Sequence, residues 1–320
     1  MIGITVASDG LVFNKTSLAF LPWAHVYGQT CELFLLFSTG SAMAIVPHRD
    51  LIVDCIGIVK PEILISVPTL FNKIYDGVMK KVSQGSAVSK FLFNRALKIS
   101  RKKNHLEEFQ KPVPFFLQFQ FRFYDSLVFK KLRERLGGRL ISMTAGGAST
   151  NPIIEAFFQD IGIPILGGYG LTETSPVVSG SSLTWESRRI GTCGVPLQDV
   201  SLLFINPETL EEVDSFHSNE NKNKDPSSFK KGEGEEGELC VNGPCVMNGY
   251  HRNPQATAEV FLMRNGKKYF RTGDLARLVD GRFLKITGRI KEQFKLENGK
   301  YVVPIPAEDA ICRSVFISQV

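Results

Sequence analysis

The 320-residue sequence predicts an α/β protein, with mostly parallel sheets flanked by helices in its first part and a β-barrel-like second part. Short apolar runs alternate with longer amphipathic runs up to about residue 185, a pattern typical of βαβ units with parallel strands. Beyond that point the apolar runs are short and flanked by polar residues, as in antiparallel sheets. A hydrophobic content of 43% with a net charge of only +6 excludes a largely disordered chain.

The elements of the first part follow from these runs. Strands are predicted at 18–22, 42–47, 62–67, 140–144 and 164–167. Helices are predicted at 31–37, 51–60, 69–82 and 152–161. Asn151 and Pro152 indicate the start of the last helix, because asparagine caps helix N-termini and proline suits the first helical position.

Residues 86–136 interrupt this alternation with two predicted helices around a phenylalanine-rich link. The link, 115–123, has aromatic residues with a two-residue period and could form a strand or the wall of an apolar cavity. Residues 124–136 predict an amphipathic helix that stops at a Gly-Gly pair. Basic clusters at 98–103 and 130–135 are either solvated helix faces or a surface that binds an anionic membrane, a polyphosphate or nucleic acid.

The second part contains five predicted short strands. They lie at 200–205, 238–242, 268–271, 275–279 and 282–287. Residues 211–237 are polar and are expected to form a disordered surface insertion. These changes of pattern divide the chain into an α/β part (1–185), a β-rich part (186–288) and a segment 289–320 that begins with a charged connector.

Cysteine and histidine patterns exclude some classes of protein. The pair Cys240 and Cys245 has poor zinc spacing, and six cysteines in 320 residues do not form a disulfide scaffold. None of the five histidines belongs to an HExxH motif, so the sequence shows no metalloprotease signature.

The strongest chemical motif is GGYGLTETSP at 167–176, directly after a predicted strand. Ligands bind at the carboxyl ends of parallel strands, and glycines let the backbone approach them closely. Tyr169 can stack on a base, the Thr172 hydroxyl can bind phosphate and the Glu173 carboxylate can hold Mg²⁺. A plain glycine-rich turn is the alternative.

Three further segments support a nucleotide site. TAGGAS at 144–149 is a second glycine-rich turn at a strand end, and Asp274, after a glycine in YFRTGDL, suits a ribose diol unless it is a solvated hairpin residue. Arg289 could contact ribose or phosphate, and Lys291 lies where a hinge is expected. His25, at the end of a strand, is the functional candidate among the histidines, although a lone histidine is more often structural.

Taken together, these segments resemble the adenylate-forming superfamily and, more narrowly, long-chain fatty acid–CoA ligases. The motifs that match in order are LPWAHVYG, TAGGAS, GGYGLTETSP, GELCVNGPCVMNGYHRNPQAT, YFRTGDLARL and GRIKEQFKLENGKYVVP. The narrower resemblance depends on SLVFKKLRERLGGR and LENGKYVVP. The resemblance as a whole covers nearly the whole chain outside 211–237. It implies a large adenylating domain at 1–288, followed at 289–320 by a hinge and the start of a small α+β C-terminal domain. It also makes the phenylalanine-rich link a candidate for the acyl tunnel or a membrane-facing surface, with ordinary core packing as the alternative.

The resemblance implies a two-step reaction. A fatty carboxylate attacks the α-phosphate of ATP with help from Mg²⁺, which gives an acyl-adenylate and pyrophosphate. A rotation of the C-terminal domain about Lys291 then admits CoA, whose thiol displaces AMP. The partners implied are a long-chain fatty acid, ATP and CoA, with peripheral association with a membrane and no nucleic acid, in the cytoplasm or at the cytoplasmic face of a membrane.

The resemblance also assigns roles to individual residues. The nucleotide-binding set is Gly146, Gly147, Ala148, Tyr169, Gly170, Asp274 and Arg289. In this assignment the glycine turn and Tyr169 line the adenine pocket, while Asp274, assisted by Arg289, holds the ribose hydroxyls. Thr172 contacts phosphate, Glu173 holds Mg²⁺, and His25 lies near the acyl carboxylate and the α-phosphate.

Two family features have no match in the sequence. Nothing before Leu21 matches the Ser/Thr/Gly-rich phosphate loop with its lysine, and the late C-terminal lysine of the family is not found. We therefore expect that the chain is a piece of a longer enzyme and is nearly inactive alone. The alternatives are another acid-adenylating ligase, a non-catalytic nucleotide- or lipid-binding remnant and, from the pI of about 8.9 alone, a nucleic-acid binder.

Overall fold

The computed structural model describes residues 13–215 and 232–292, together with 294–295, 301–302, 304, 308, 311 and 317. The described chain forms two compact units. The first comprises the described residues up to Gly168 and Ser181–Gly191, and the second comprises Tyr169–Gly180 and the described residues from Thr192 onward. The predicted domain boundaries are a different division of the chain and stay predictions.

The first unit contains a parallel sheet in the order β2-β1-β3-β4-β5. Its strands are β1 (Thr16–Ala19), β2 (Ala42–Ile45), β3 (Ile63–Ser66), β4 (Ser142–Ala145) and β5 (Ile165–Gly170), the last of which runs on into the second unit. The parallel sheet predicted for the first part is confirmed. Because neighbouring parallel strands end at the same edge, the glycine turn after β4 lies at the carboxyl edge of this sheet.

Helices flank this sheet. In chain order they are a π-helical turn Gly28–Phe34 continued by α1 (Leu35–Ser38), α2 (Ile52–Val59), α3 (Pro68–Ser83), α4 (Ala87–Glu108), α5 (Phe115–Tyr124), a π-helical turn Asp125–Phe129 continued by α6 (Lys130–Arg135), and α7 (Pro152–Asp160). The predicted start of α7 is confirmed, since the Asn151 side chain accepts a 2.9 Å hydrogen bond from the backbone N–H of Ile153. Phe71, Phe129 and Phe158 are fully buried in the core between sheet and helices.

The prediction of a strand at the phenylalanine-rich link is wrong, because these residues form α5. Leu117 is buried and Phe121, Tyr124 and Val128 pack against the core, so the spacing of four and three residues decides the structure. The period-two aromatic residues are split between this inner face and an exposed outer face.

The second unit is antiparallel, as predicted. A five-stranded sheet has the order β10-β11-β9-β8 with β12 paired to β11. β6 pairs with β7 in the antiparallel sense and follows β5 in the order of the other sheet. The strands are β6 (Val177–Gly180), β7 (Val195–Pro196), β8 (Ser201–Ile205), β9 (Gly237–Asn242), β10 (Phe261–Arg264), β11 (Lys267–Val279) and β12 (Phe283–Arg289). One helix, α8 (Pro254–Glu259), precedes β10, and two short strands, β13 (Phe294–Lys295) and β14 (Tyr301–Val302), pair with each other.

The strands predicted at 268–279 and the polar insertion at 211–237 compare differently with the structure. The two strands expected at 268–271 and 275–279 are one strand, β11, whose register shifts between Arg271 and Leu275, so the hairpin interpretation of this segment is wrong. The polar insertion 211–237 is described only at its ends, where the Ser215 hydroxyl donates a 2.9 Å hydrogen bond to the carbonyl oxygen of Glu235. The disorder predicted for its middle, 216–231, lies outside the described residues.

Within the part of the chain that the structure describes, no helix combines the length and the apolar character needed to cross a membrane. The five described cysteines are free thiols.

Candidate active site

Asp274 lies at the centre of a polar cluster in the second unit. It is paired in register with Arg289 across β11 and β12. The Arg289 Nε donates a 2.7 Å hydrogen bond to Oδ1 of Asp274, and the Tyr169 hydroxyl donates a 2.6 Å hydrogen bond to Oδ2. The structure therefore brings together three residues that the sequence assigned to nucleotide binding.

The position of Asp274 depends on an irregularity of β11. Gly273 has a φ of +72°, in the left-handed region that favours glycine, and the register shifts here. The Asp274 backbone N–H then meets the Thr272 hydroxyl at 3.1 Å, and the aspartate is only 2% exposed. The carboxylate is thus buried rather than solvated.

Burial and mutual charge shape the electrostatics of this cluster. Burial, together with the Asp274 carboxylate, raises the pKa of Tyr169 well above its ordinary value, so the hydroxyl stays a donor. The same carboxylate raises the pKa of Arg289. Each oxygen of the Asp274 carboxylate has two lone pairs and accepts one hydrogen bond from this cluster. Each oxygen can therefore accept a further hydrogen bond, as from the hydroxyls of a diol.

Glu173 has a partner that the sequence did not predict. It lies in the 3₁₀ turn Thr172–Thr174, and the Tyr250 hydroxyl donates a 3.0 Å hydrogen bond to its Oε1. The backbone N–H of Met247 also donates to the carbonyl oxygen of Glu173, at 2.8 Å. Tyr250 belongs to the GYHRNP part of a matched motif, which was the only signal in the sequence for this residue.

Glu173 is a suitable carboxylate for Mg²⁺ in a nucleotide complex. Among the described residues no group of three or more His, Cys, Asp or Glu side chains could hold a metal ion by itself. Mg²⁺ is usually held by one or two carboxylates together with substrate phosphates, and the half-buried Glu173 has that chemistry. Thr172, next to it, is exposed, as a phosphate donor would be.

Gly170 is a glycine for a steric reason. A Cβ at this position would lie 1.6 Å from the carbonyl oxygen of Pro176, a distance no side chain can have. The Thr174 hydroxyl donates a 2.7 Å hydrogen bond to the same oxygen. The closeness of the backbone at this turn explains why the motif needs glycine.

In the first unit, the turn after β4 packs against Tyr27. A Cβ on Gly146 would lie 2.6 Å from Cζ of Tyr27, and the Tyr27 hydroxyl lies 3.3 Å from the carbonyl oxygens of Ser66 and Thr144. Gly146 is buried by this contact, whereas Gly147 and Ala148 are exposed. Of the residues assigned to the nucleotide in this turn, Gly147 and Ala148 are therefore the ones open to a ligand in this unit.

His25 is exposed in the segment between β1 and the first helical turn, and its Nδ1 accepts a 3.2 Å hydrogen bond from the backbone N–H of Tyr27. In the same segment the Trp23 indole donates a 2.9 Å hydrogen bond to Oε2 of Glu32. Burial raises the pKa of Glu32 to about 7. The sequence placed Trp23 in the motif LPWAHVYG but did not predict its pairing with the buried Glu32, because nine residues separate the two and Glu32 lies outside that motif.

Lys291 is exposed in the 3₁₀ turn Ile290–Glu292 that follows β12. Its role as a hinge stays a prediction. The same holds for the individual roles of the other site residues.

The family is decided by a match over most of the chain. The model of the AMP-binding enzyme family ("AMP-binding enzyme") matches residues 3–251. The chain belongs to this family. The resemblance derived from the motif order and the predicted α/β fold class are both confirmed.

The curated proteins that are similar to this AMP-binding enzyme include two plant long-chain acyl-CoA synthetases. "Long chain acyl-CoA synthetase 7, peroxisomal" from Arabidopsis thaliana is 30% identical over 311 residues, which are 94% of this chain and 39% of that protein. "Long chain acyl-CoA synthetase 1" from the same plant is 31% identical over 92% of this chain and 40% of its own length. The chain thus spans about two-fifths of the length of these curated relatives.

A solved structure shows the same fold. A long-chain-fatty-acid-CoA ligase from Archaeoglobus fulgidus superposes with a TM-score of 0.58 at 17% identity, covering 100% of this chain and 50% of that one. At this identity the likeness concerns the fold alone.

Proposed function

We propose that this AMP-binding enzyme serves the ATP-dependent activation of a long-chain fatty acid to its CoA thioester, with release of AMP and pyrophosphate. The observation that carries the proposal is the buried Asp274 carboxylate, bonded by Tyr169 and Arg289. The names of the plant relatives support the long-chain substrate class.

The nucleotide would be held through this cluster. Asp274 accepts hydrogen bonds from the two ribose hydroxyls through its remaining lone pairs. Arg289 holds the aspartate in place through the 2.7 Å hydrogen bond from its Nε to Oδ1, and its guanidinium charge complements the carboxylate. The ring of Tyr169 offers a surface for adenine, and its orientation is set by the hydrogen bond to Asp274.

The chemistry has two steps. A carboxylate oxygen of the fatty acid forms a bond to the α-phosphorus of ATP while the bond to pyrophosphate breaks. The CoA thiol then attacks the acyl carbon, loses its proton and releases AMP. Thr172 binds phosphate, and His25 lies near the reacting carboxylate in this proposal. Mg²⁺, when bound at Glu173, neutralises phosphate charge.

We further propose that the enzyme associates peripherally with the cytoplasmic face of a membrane and that Lys291 is a hinge residue. We propose no nucleic-acid partner. We also expect the 320-residue chain by itself to give little ATP–pyrophosphate exchange, since neither the phosphate loop nor the late lysine of the family is found in it. Robust exchange with palmitate would contradict that statement.

Equilibrium binding of hydrolysis-resistant acyl-adenylate analogues tests the proposal. We expect a palmitoyl analogue to bind more tightly than an acetyl or benzoyl analogue. Asp274→Asn should weaken binding by about tenfold or more, because it removes a charged acceptor. The matched control is Asp199→Asn, an exposed aspartate of the same unit whose φ of +63° suits asparagine. Absence of adenylate binding would overturn the proposal, and preference for a short or aromatic acyl group would point to another ligase.

A further inference from the structure

The outer face of α5 is apolar and exposed to solvent. Phe115, Phe116, Phe119 and Phe123 are 87%, 69%, 63% and 56% exposed, and their spacing places them on one side of the helix. The opposite side packs against the core through Leu117 and its neighbours. A large exposed apolar patch marks an interaction site. We call these four phenylalanines the aromatic face.

A groove lies next to the aromatic face. Leu127, four residues after Phe123, is part of its wall. The groove has a volume of about 430 Å³ and lies among α3, the start of α4 and the helical residues 127–135. Its apolar wall includes Val82, Leu92 and Leu132.

Three cations also line this groove. They are Lys81, Lys131 and Arg135, all exposed. Within 13–215 and 232–292, no acidic side chain forms an ion pair with any of the three. An apolar wall with cations at its rim suits an amphiphile that has acyl chains and an anionic head group.

The positive charge of the segment that surrounds the aromatic face favours an anionic partner. Residues 87–139 contain thirteen Lys and Arg and four Asp and Glu, a net charge of +9, whereas the whole chain carries +6. The rest of the chain is therefore net negative. Lys111, Arg122 and Lys130, at either end of the aromatic face or within its helix, are all exposed.

This combination differs from a protein–protein interface, whose buried core is depleted in lysine. Helices that lie at a membrane surface instead combine Phe and Leu on one face with flanking Lys and Arg. Each such cation near an anionic leaflet strengthens membrane binding about fivefold.

We infer that the aromatic face and the adjoining groove dock on a bilayer of anionic phospholipid, with the phenylalanines among the acyl chains and Lys81, Lys131 and Arg135 on lipid phosphates. This surface locates the membrane association of the proposed function. Binding to it needs neither ATP, fatty acid nor CoA, so its failure would leave the ligase proposal standing.

Vesicle co-sedimentation of the full 320-residue chain tests the inference. The probes are vesicles of phosphatidylcholine alone and of phosphatidylcholine mixed with phosphatidylserine. We expect binding to the anionic vesicles that weakens with added salt. The double variant Phe119→Ser/Phe123→Ser should lower the partition coefficient about tenfold or more, because it removes two apolar side chains from the contact.

Matched control variants distinguish binding through this surface from nonspecific hydrophobic binding and from an effect of net charge. Phe37→Ser changes a phenylalanine that is 78% exposed at α1 of the same unit and should leave binding unchanged. Lys81→Gln should weaken binding about fivefold, while Lys80→Gln, its exposed neighbour that does not line the groove, should have a smaller effect. The second double variant, Phe115→Ser/Phe116→Ser, repeats the test if the first does not fold.

Three results would overturn the inference. Equal binding to neutral and anionic vesicles, or no binding at all, excludes an anionic bilayer as the partner. Equal losses for the Phe37 variant and the Phe119/Phe123 variant exclude this face. A dimer in light scattering that dissociates with Phe119→Ser/Phe123→Ser would show that a second copy of the chain covers the face instead.

Discussion

The Tyr169 hydroxyl and the Asp274 carboxylate form a 2.6 Å hydrogen bond between residues that are 105 positions apart in the chain. The aspartate side chain is 3% exposed, and its other oxygen is bonded by Arg289. A buried carboxylate that loses one of two donors pays a desolvation cost that water cannot offset. The contact between these two residues therefore stabilises the second unit as well as shaping its candidate site.

Tyr169→Phe should lower the free energy of unfolding by about 1.5–3 kcal/mol, since it removes a hydrogen bond to a buried charged group. Urea unfolding followed by circular dichroism measures this loss. Tyr250→Phe is the matched control, because Tyr250 is exposed and its hydroxyl bonds the half-buried carboxylate of Glu173. A change within about 0.5 kcal/mol is expected there. Equal losses for the two variants would show that burial of Asp274 is not the cause.

Breaking the pair of Arg271 and Glu238 should be costly. The Arg271 guanidinium donates to Oε2 of Glu238 from Nη2 at 2.6 Å and from Nε at 3.1 Å, and Nε also donates to Oε1 at 3.3 Å. The Glu238 side chain is 3% exposed. Arg271→Met leaves that carboxylate buried and unpaired, so a loss of about 3 kcal/mol is expected from chemical denaturation.

The double variant Arg271→Met/Glu238→Met should recover most of this stability, since an apolar pair can replace a buried ion pair. Lys285→Met, which breaks an ion pair with the exposed Glu233, should cost no more than about 1 kcal/mol. A double variant as unstable as the single one would contradict the explanation by an uncompensated charge.

Gly146→Ala should destabilise the first unit by about 1–3 kcal/mol, because its Cβ would overlap the Tyr27 ring. Gly57→Ala serves as the control. Gly57 lies in α2 with no atom within 4 Å of an added Cβ, so alanine should stabilise the chain by up to about 1 kcal/mol. Thermal unfolding compares the two, and a loss for Gly57→Ala equal to that for Gly146→Ala would refute the steric argument.

Stability should fall as the pH rises because of Glu155. Burial raises the pKa of this carboxyl from 4.5 to about 8, although the Gly191 backbone N–H donates to it at 2.7 Å. Its pKa is higher in the folded than in the unfolded chain, so the folded state holds the extra proton. The stability from this group is complete below pH 4.5 and is lost as the pH rises to about 8.

Glu155→Gln keeps the acceptor and removes the titration. The difference in unfolding free energy between Glu155→Gln and the parent chain should therefore grow between pH 5 and pH 8, by about 4 kcal/mol. Denaturation series at matched ionic strength measure it, and a difference that does not change with pH would refute the assignment.

Much of the fold follows from local patterns. Apolar runs of four to six residues between amphipathic segments predicted the five parallel strands, and Asn151 with Pro152 predicted the start of α7. The two errors also have local causes. Gly273 looks like a turn residue but is accommodated within β11 by a left-handed backbone, and the alternating aromatic residues of α5 imitate a strand.

The sequence by itself determined the family of this protein, because ordered motifs are a property of the linear chain and the match over residues 3–251 confirms them. Only the tertiary structure decided which side chains are partners. Tyr169 with Asp274 and Tyr250 with Glu173 are 105 and 77 residues apart, and Tyr27 meets Gly146 from a distant element. The physical reason is that strand register and helix packing, rather than spacing along the chain, set the distances between their atoms. The exposure of four phenylalanines on α5 is a result of the same kind, since a helix buries one face and leaves the other to whatever surrounds the molecule.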